Sequence, residues 1–134
     1  MVYRRYNSRR TFLGRIYSSY LINVGPDGQD VLMIILNTTF HVHSSVEDKF
    51  LRWVRVNYIP QALSSGVLHS PSLARILIDV EPESVSFALQ FSAENIDDAS
   101  RWHDRDGEIL RRRLSGVFGD RIVYFTTYME NLTL

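Results

Sequence analysis

The sequence predicts an α+β domain in the order strand, helix, hairpin, helix, strand, with two helices on one face of a four-stranded antiparallel sheet. Three observations predict it. From residue 33 onward, β-rich runs alternate with stretches whose apolar residues recur at helical spacing. Between Val85 and Ser92 the residues alternate strictly, with Val85, Phe87, Leu89 and Phe91 on one side and Ser86, Ala88, Gln90 and Ser92 on the other. Turn formers fall between the runs, at Gly66, at Glu81-Pro82-Glu83-Ser84 and at Gly119.

Each element has its own signature. Met33 to Val42 is β-branched and aromatic without Gly or Pro, and forms the first strand. A helix opens at Ser44, where Glu47 three residues on completes a capping box. Val46, Phe50, Trp53, Val54 and Tyr58 form its inner face. Pro60 kinks or ends it, and Ala62-Leu63 adds a turn before Gly66. Leu73 to Val80 is the second strand and joins the third through the Pro82 turn as a hairpin. Asn95 to Asp98 offers an N-cap and negative charge to the second helix. Ala99, Trp102, Ile109, Leu110, Leu114 and Val117 mark its inner face. Arg111-Arg112-Arg113 lies in its last turns as a solvated, dipole-matched end, and Gly116 or Gly119 stops it. Arg121 to Met129 is the fourth strand. This order is the ferredoxin-like βαββαβ plan.

Composition narrows the function. A chain of 134 residues with 45% hydrophobic and 22% charged residues suits one domain with a real core. It contains no cysteine, which excludes disulfide scaffolds, thiolate metal sites, iron–sulfur clusters and thiol catalysis, and makes a reducing cytoplasm the expected location. Fifteen basic residues balance fifteen acidic ones, so no overall field favours nucleic acid or membrane. The balance conceals an asymmetry. Residues 1–32 carry five arginines against two aspartates, a charge of +3, and residues 33–134 carry −3. The first segment is therefore expected to be a basic extension, poorly ordered or preceding the true initiator at Met33, and residues 33–134 the domain.

The greasier parity of each strand is assigned to the helices: Ile34, Leu36, Phe40 and Val42; Ile76 and Ile78; Val85, Phe87, Leu89 and Phe91; Val123, Phe125 and Met129. The open face then carries Ile35, Asn37, Thr39, His41, Arg75, Leu77, Ser86, Ala88, Gln90, Tyr124, Thr126 and Tyr128. A solvated face would carry Lys and Glu instead, so this one is expected to meet a second sheet or a small ligand. Asn37, Thr39, His41, Arg75, Gln90, Tyr124, Thr126 and Tyr128 are the candidate pocket residues. Asn37 and Gln90, on the central strands, are either a cross-strand amide bond or a ligand-orienting pair.

Asn37-Thr38-Thr39-Phe40-His41-Val42, Phe50-Leu51-Arg52-Trp53, Tyr58-Ile59-Pro60, Arg75-Ile76-Leu77, Leu89-Gln90-Phe91, Phe118-Gly119-Asp120 and Phe125-Thr126-Thr127 together resemble a bacterial domain-of-unknown-function family. It is similar to the dimeric α+β-barrel group, and the resemblance runs from Met33 to the C-terminus. It implies a protomer that dimerises sheet to sheet, and it carries over no catalytic residues. The wider group includes cofactor-independent and haem-degrading monooxygenases and ligand-sensing regulators. Asn37, Trp102 and His103 match the residue types some of those oxygenases use. Adjacent helix positions diverge by about 100°, however, which argues against Trp102 and His103 sharing a haem pocket.

Other sharp readings weaken against bland ones. His41 and His43 share a strand face but lack a third metal ligand, so no metal is expected. His69 reads as surface. In an RNA-binding sheet the third strand presents rings, whereas here it presents Ser86 and Ala88. The expectation is a cytoplasmic homodimer without nucleic acid, membrane or cofactor, with a small-molecule ligand as an open option. The first alternative is a monooxygenase using Asn37, Gln90, Tyr124, Tyr128 and Arg75; the second is a ligand-sensing or partner-binding module.

Overall fold

The computed structural model describes residues 33–78 and 81–132. The basic segment 1–32, Asp79, Val80 and residues 133–134 lie outside the described residues. The described chain runs β1 (Met33–His43), α1 (Glu47–Trp53), α2 (Ile59–Ser64), β2 (His69–Ile76), β3 (Ser84–Ala93), α3 (Ile96–Trp102), α4 (Glu108–Phe118) and β4 (Ile122–Asn131). The four strands form one antiparallel sheet in the order β2-β3-β1-β4, so the two strands with the clearest sequence signal are the central ones.

Helical structure is continuous from α1 to α2 through a π turn at Val54–Tyr58, and from α3 to α4 through a second π turn at His103–Gly107. Pro60 does not end the first helix. It sits in the first turn of α2, where its missing N–H costs least, and the chain stays helical to Ser64. Gly66 (φ +77°) and Gly119 (φ +60°) then terminate the two helical layers in backbone conformations that suit a residue without Cβ.

The core lies between these layers and one sheet face. Phe40, Phe50, Val54, Tyr58, Leu89, Leu110 and Leu114 are fully buried. Their rings interlock: Phe50 lies 5.1 Å from Phe40 and 5.5 Å from Phe87 between ring centres, and Tyr58 stacks on Phe91. Among the described residues, no helix covers the other face.

Capping differs between the two layers. Asn95 caps α3 as expected, its Oδ1 accepting from the Asp98 amide at 2.8 Å. Asn95→Ala should therefore cost about 1 kcal/mol, seen as a lower urea midpoint with an unchanged slope. The Ser44–Glu47 capping box does not form. His43 accepts from the Ser45 amide through Nδ1, while the Glu47 carboxylate pairs with Arg75 across the fold.

Register corrects both edge strands. Partners in an antiparallel ladder share a face. Phe40 is opposite Tyr124, Thr38 opposite Thr126 and Leu36 opposite Tyr128, so those three β4 residues point under the helices. Val123, Phe125 and Met129 take the open face instead. On β2, Leu73 is opposite Leu89 and Arg75 opposite Phe87, which places both on the helix side, while Ile76 joins Ser86 on the open face. Strand β2 also begins at His69 and ends at Ile76, with an irregularity between His69 and Ser72. His69 is therefore a half-buried strand residue rather than plain surface, and Leu77 and Ile78 are exposed beyond the strand.

The second π turn corrects the helix face. Its extra residue advances the buried positions by one, to His103, Gly107, Leu110, Arg111, Leu114 and Phe118. Ile109 and Val117, expected inside, are exposed, and Arg111, expected in solvent, is 3% exposed.

Candidate functional site

The expected pocket residues divide between the two faces of the sheet. Asn37, Thr39, His41 and Gln90 share the open face as foreseen; Arg75, Tyr124, Thr126 and Tyr128 lie on the other.

On the open face the polar side chains form a chain of three and a separate pair. Gln90 donates from Nε2 to Asn37 Oδ1 at 3.3 Å, and Asn37 donates from Nδ2 to Thr39 Oγ1 at 3.0 Å. His41 Nδ1 lies 2.5 Å from Ser86 Oγ. His43, on the same side of β1, approaches Ser45 and Glu83 rather than His41. No group of three metal-ligating side chains occurs among the described residues. Around this polar centre, Met33, Ile35, Val123, Phe125 and Met129 line the β1–β4 side, while Ser72, Ala74, Ile76, Ala88 and Ser92 line the β2–β3 side. The face therefore has a bulky apolar half on the β4 side, a half of mostly small residues with Ile76 among them, and an amide seam between them.

Beneath the helices lies a second polar assembly: Trp102-His103-Asp104 reads in the sequence as a candidate oriented imidazole, outweighed there by a plain amphipathic helix, and the part played by Arg111 is visible only in the fold. Arg111 donates from Nη2 to the His103 carbonyl at 2.7 Å and to Glu108 Oε2 at 3.1 Å. Widening the helix from i→i+4 to i→i+5 bonds at a π turn leaves backbone groups in need of partners, and the guanidinium serves one of them. His103 Nε2 pairs with Thr126 Oγ1 at 2.9 Å, Nδ1 lies 3.2 Å from Asp104 Oδ1, and the ring meets Tyr128 edge-on. Trp102 and His103 are both buried, because the π turn turns inward two neighbours that a regular helix would separate. Burial, and then the Arg111 charge, push His103 down to about 4, so the imidazole is neutral at neutral pH. Burial also pushes the Tyr58 hydroxyl up, against the opposing pull of Arg111 and Thr38 beside it. Glu108 is pushed up by burial but held below its ordinary value by its bonds to Arg111 and Arg112.

Gly107 makes this assembly possible. A Cβ there would come 2.8 Å from Arg111 Nη1 and 2.9 Å from the Trp102 ring. A glycine in mid-helix costs about 1 kcal/mol and calls for a packing reason, so Gly107 was the one sequence signal of a close approach.

Arg75 belongs to neither assembly. It reaches over the Phe87 ring, 5.0 Å from its centre, to pair with Glu47 and ties β2 to α1. Outside the core, a groove of about 470 Å³ between the helical layers is lined by Trp53, Val56, Pro60, Leu110 and Arg113.

The strand order and the pair of helical layers on one face of the sheet define a ferredoxin-like α+β protein. Residues 33–132 match the domain of unknown function DUF4286, and the chain belongs to that family. In three dimensions it is similar to a crystal structure described as a dimeric ferredoxin-like protein from an uncultured marine organism. The TM-score is 0.52 at 11% identity, covering 77% of this chain and 98% of that one. No curated protein matches the chain in sequence. No described helix is long and apolar enough to cross a membrane.

Proposed function

We propose that this protein works as a sheet-to-sheet homodimer whose role is binding, in the reducing cytoplasm that its lack of cysteine suits. The observation that carries the reading is the apolar stripe of Val123, Phe125, Met129 and Ile35 on the face no described helix covers. Strand spacing of about 4.8 Å and rise of about 3.3 Å per residue give a four-stranded face of roughly 500–700 Å² in projection, near what one partner contributes to a standard interface. The similar marine protein is described as dimeric, which supports the reading.

Sedimentation of the full chain tests it. The wild type should sediment as a dimer at micromolar concentration, and Phe125→Asp should weaken association by about a hundredfold by burying an unpaired charge. A wild type that remains monomeric sinks the reading.

A ligand-holding role is the second reading, favoured by the Asn37–Gln90–Thr39 chain, whose amides keep spare donors and acceptors. The monooxygenase alternative has less support, since Arg75, Tyr124 and Tyr128 lie across the sheet from Asn37 and Gln90. A compound that raises the melting temperature of the wild type but not of Asn37→Ala/Gln90→Ala would favour the ligand role.

A further inference from the structure

We infer that the trench between the two helical layers receives a short amphipathic helix of another protein, apolar along one side and acidic along its flanks. The inference stands apart from the homodimer reading, because the trench opens on the far side of the helices from the sheet. The groove of about 470 Å³ adjoins a second hollow of about 340 Å³, and Gln61, Leu110 and Arg113 line both. Together they follow the second helical layer from Val117 back to Asp106. At about 1.5 Å per residue this is a trench of roughly 17 Å, the length of about three helical turns.

Water-facing helix positions are normally polar. Here Val56, Ile109 and Val117 are 64%, 50% and 61% exposed along the trench, beside Trp53 and Pro60. The π turns put them there. Val56 belongs to the first, and the second rotates Ile109 and Val117 out of the core. Positions turned out to water that are still apolar make a surface for another molecule to shield. The walls stand largely in solvent, so the trench is too open to enclose a small molecule and is shaped to take a ridge. A helix with apolar anchors at i, i+3, i+4 and i+7 is such a ridge.

Charge decides the kind of helix. Arg113 stands within the trench, and Lys49 and Arg52 are exposed one helical turn before Trp53 and Val56, on the same side of the helix. Among the described residues none of these three cations pairs with an acid. Asp106, at the other end, is the one acid among the described lining residues. Carboxylates beside the apolar stripe of a partner helix would meet the three cations. Other occupants fit less well. A second copy docked trench to trench would bring Arg113 near Arg113 and set one hollow against another, leaving voids. Residues 1–32, with five arginines and two aspartates, carry the same sign as the rim. A lipid surface is broad and flat where the trench is narrow and concave.

The probe is a fluorescein-labelled, stapled helix of about 12 residues, with leucines at the four anchor positions and glutamates beside them. A twin carries lysines in place of the glutamates. Each is titrated with the full chain at low salt and read by anisotropy. The glutamate peptide should bind saturably, and the lysine twin at least about tenfold more weakly. Arg113→Glu should reverse that order, and Val117→Asp should weaken binding of the glutamate peptide about tenfold or more. Both positions are exposed, so each variant should melt close to the wild type. Phe125→Asp, on the sheet face, should leave peptide binding unchanged whatever it does to sedimentation. Absence of saturable binding, twins that bind alike, or binding lost only in Phe125→Asp would overturn the proposal. A labelled peptide of residues 11–24, or phosphatidylglycerol vesicles, binding in place of the glutamate peptide would overturn it in favour of the chain's own segment or a lipid surface. Wild-type self-association that Val117→Asp abolishes would overturn it in favour of a second copy.

Discussion

Replacing Arg111 by alanine should destabilise the protein by about 3 kcal/mol, while methionine at the same position should cost about half as much. Arg111 is 3% exposed and donates to the His103 carbonyl inside the second helical layer. Alanine leaves that carbonyl without its donor, at about 1–3 kcal/mol, and opens a cavity where the long side chain lay. Part of the loss is offset, because the cost of keeping a cation out of water disappears with it. Methionine fills most of the volume and gives up only the hydrogen bond. For a folded unit of about 100 residues, the alanine loss corresponds to a melting point lower by roughly 12–20 °C. Alanine and methionine variants that melt together at the wild-type temperature would show that the guanidinium contributes nothing to joining the layers. Removing the charge should also let the His103 pKa rise from about 4, as read by NMR titration of the ring.

Acid should weaken the fold through His103, by an amount of the order of 3 kcal/mol. In the unfolded chain this histidine takes up a proton near pH 6.5, whereas in the folded protein it does so only at about 4. Between those values the unfolded state binds more protons, so stability falls as the pH falls. The contribution is complete above pH 6.5, declines through pH 5 and levels off below about 4. Glu108, held below its ordinary value, adds loss only at the acid end of this window. Urea unfolding of wild type and His103→Gln between pH 4 and 7 isolates the effect, since glutamine retains a polar group toward Thr126 but does not titrate. The stability difference between them should shift steadily toward the variant as the pH falls. A difference that stays constant across the range would show that His103 protonates as easily inside the fold as outside it.

The legible parts of this fold and the hidden ones follow a pattern. On β1 and β3 the buried parity was plain, because Phe40, Val42, Phe87 and Leu89 alternate with Thr39, His41, Ser86 and Ala88. On β4 the same reasoning pointed the wrong way. Val123, Phe125 and Met129 are its greasiest residues, yet they occupy the uncovered face, while Tyr124, Thr126 and Tyr128 go beneath the helices to meet Phe40, His103 and Leu36. On β2, Ile76 and Arg75 were exchanged for a similar reason, since an arginine lying over Phe87 and paired with Glu47 sits comfortably against the core side. Apolar character reports that a residue avoids water and not which layer shields it. Half of the candidate pocket therefore went to the wrong side. Asn37, Thr39, His41 and Gln90 were placed correctly because they lie on the central strands.

The sequence by itself determined the element order, the central strands, the Asn95 cap and the Gly66 stop, because hydrophobic period and turn chemistry are local properties of neighbouring residues. Only the tertiary structure decided which way the edge strands face and which helix residues point inward. The first depends on hydrogen-bond register with distant strands. The second depends on a single added residue in a π turn, which carries Arg111 from the surface into the core and sets His103 beside it.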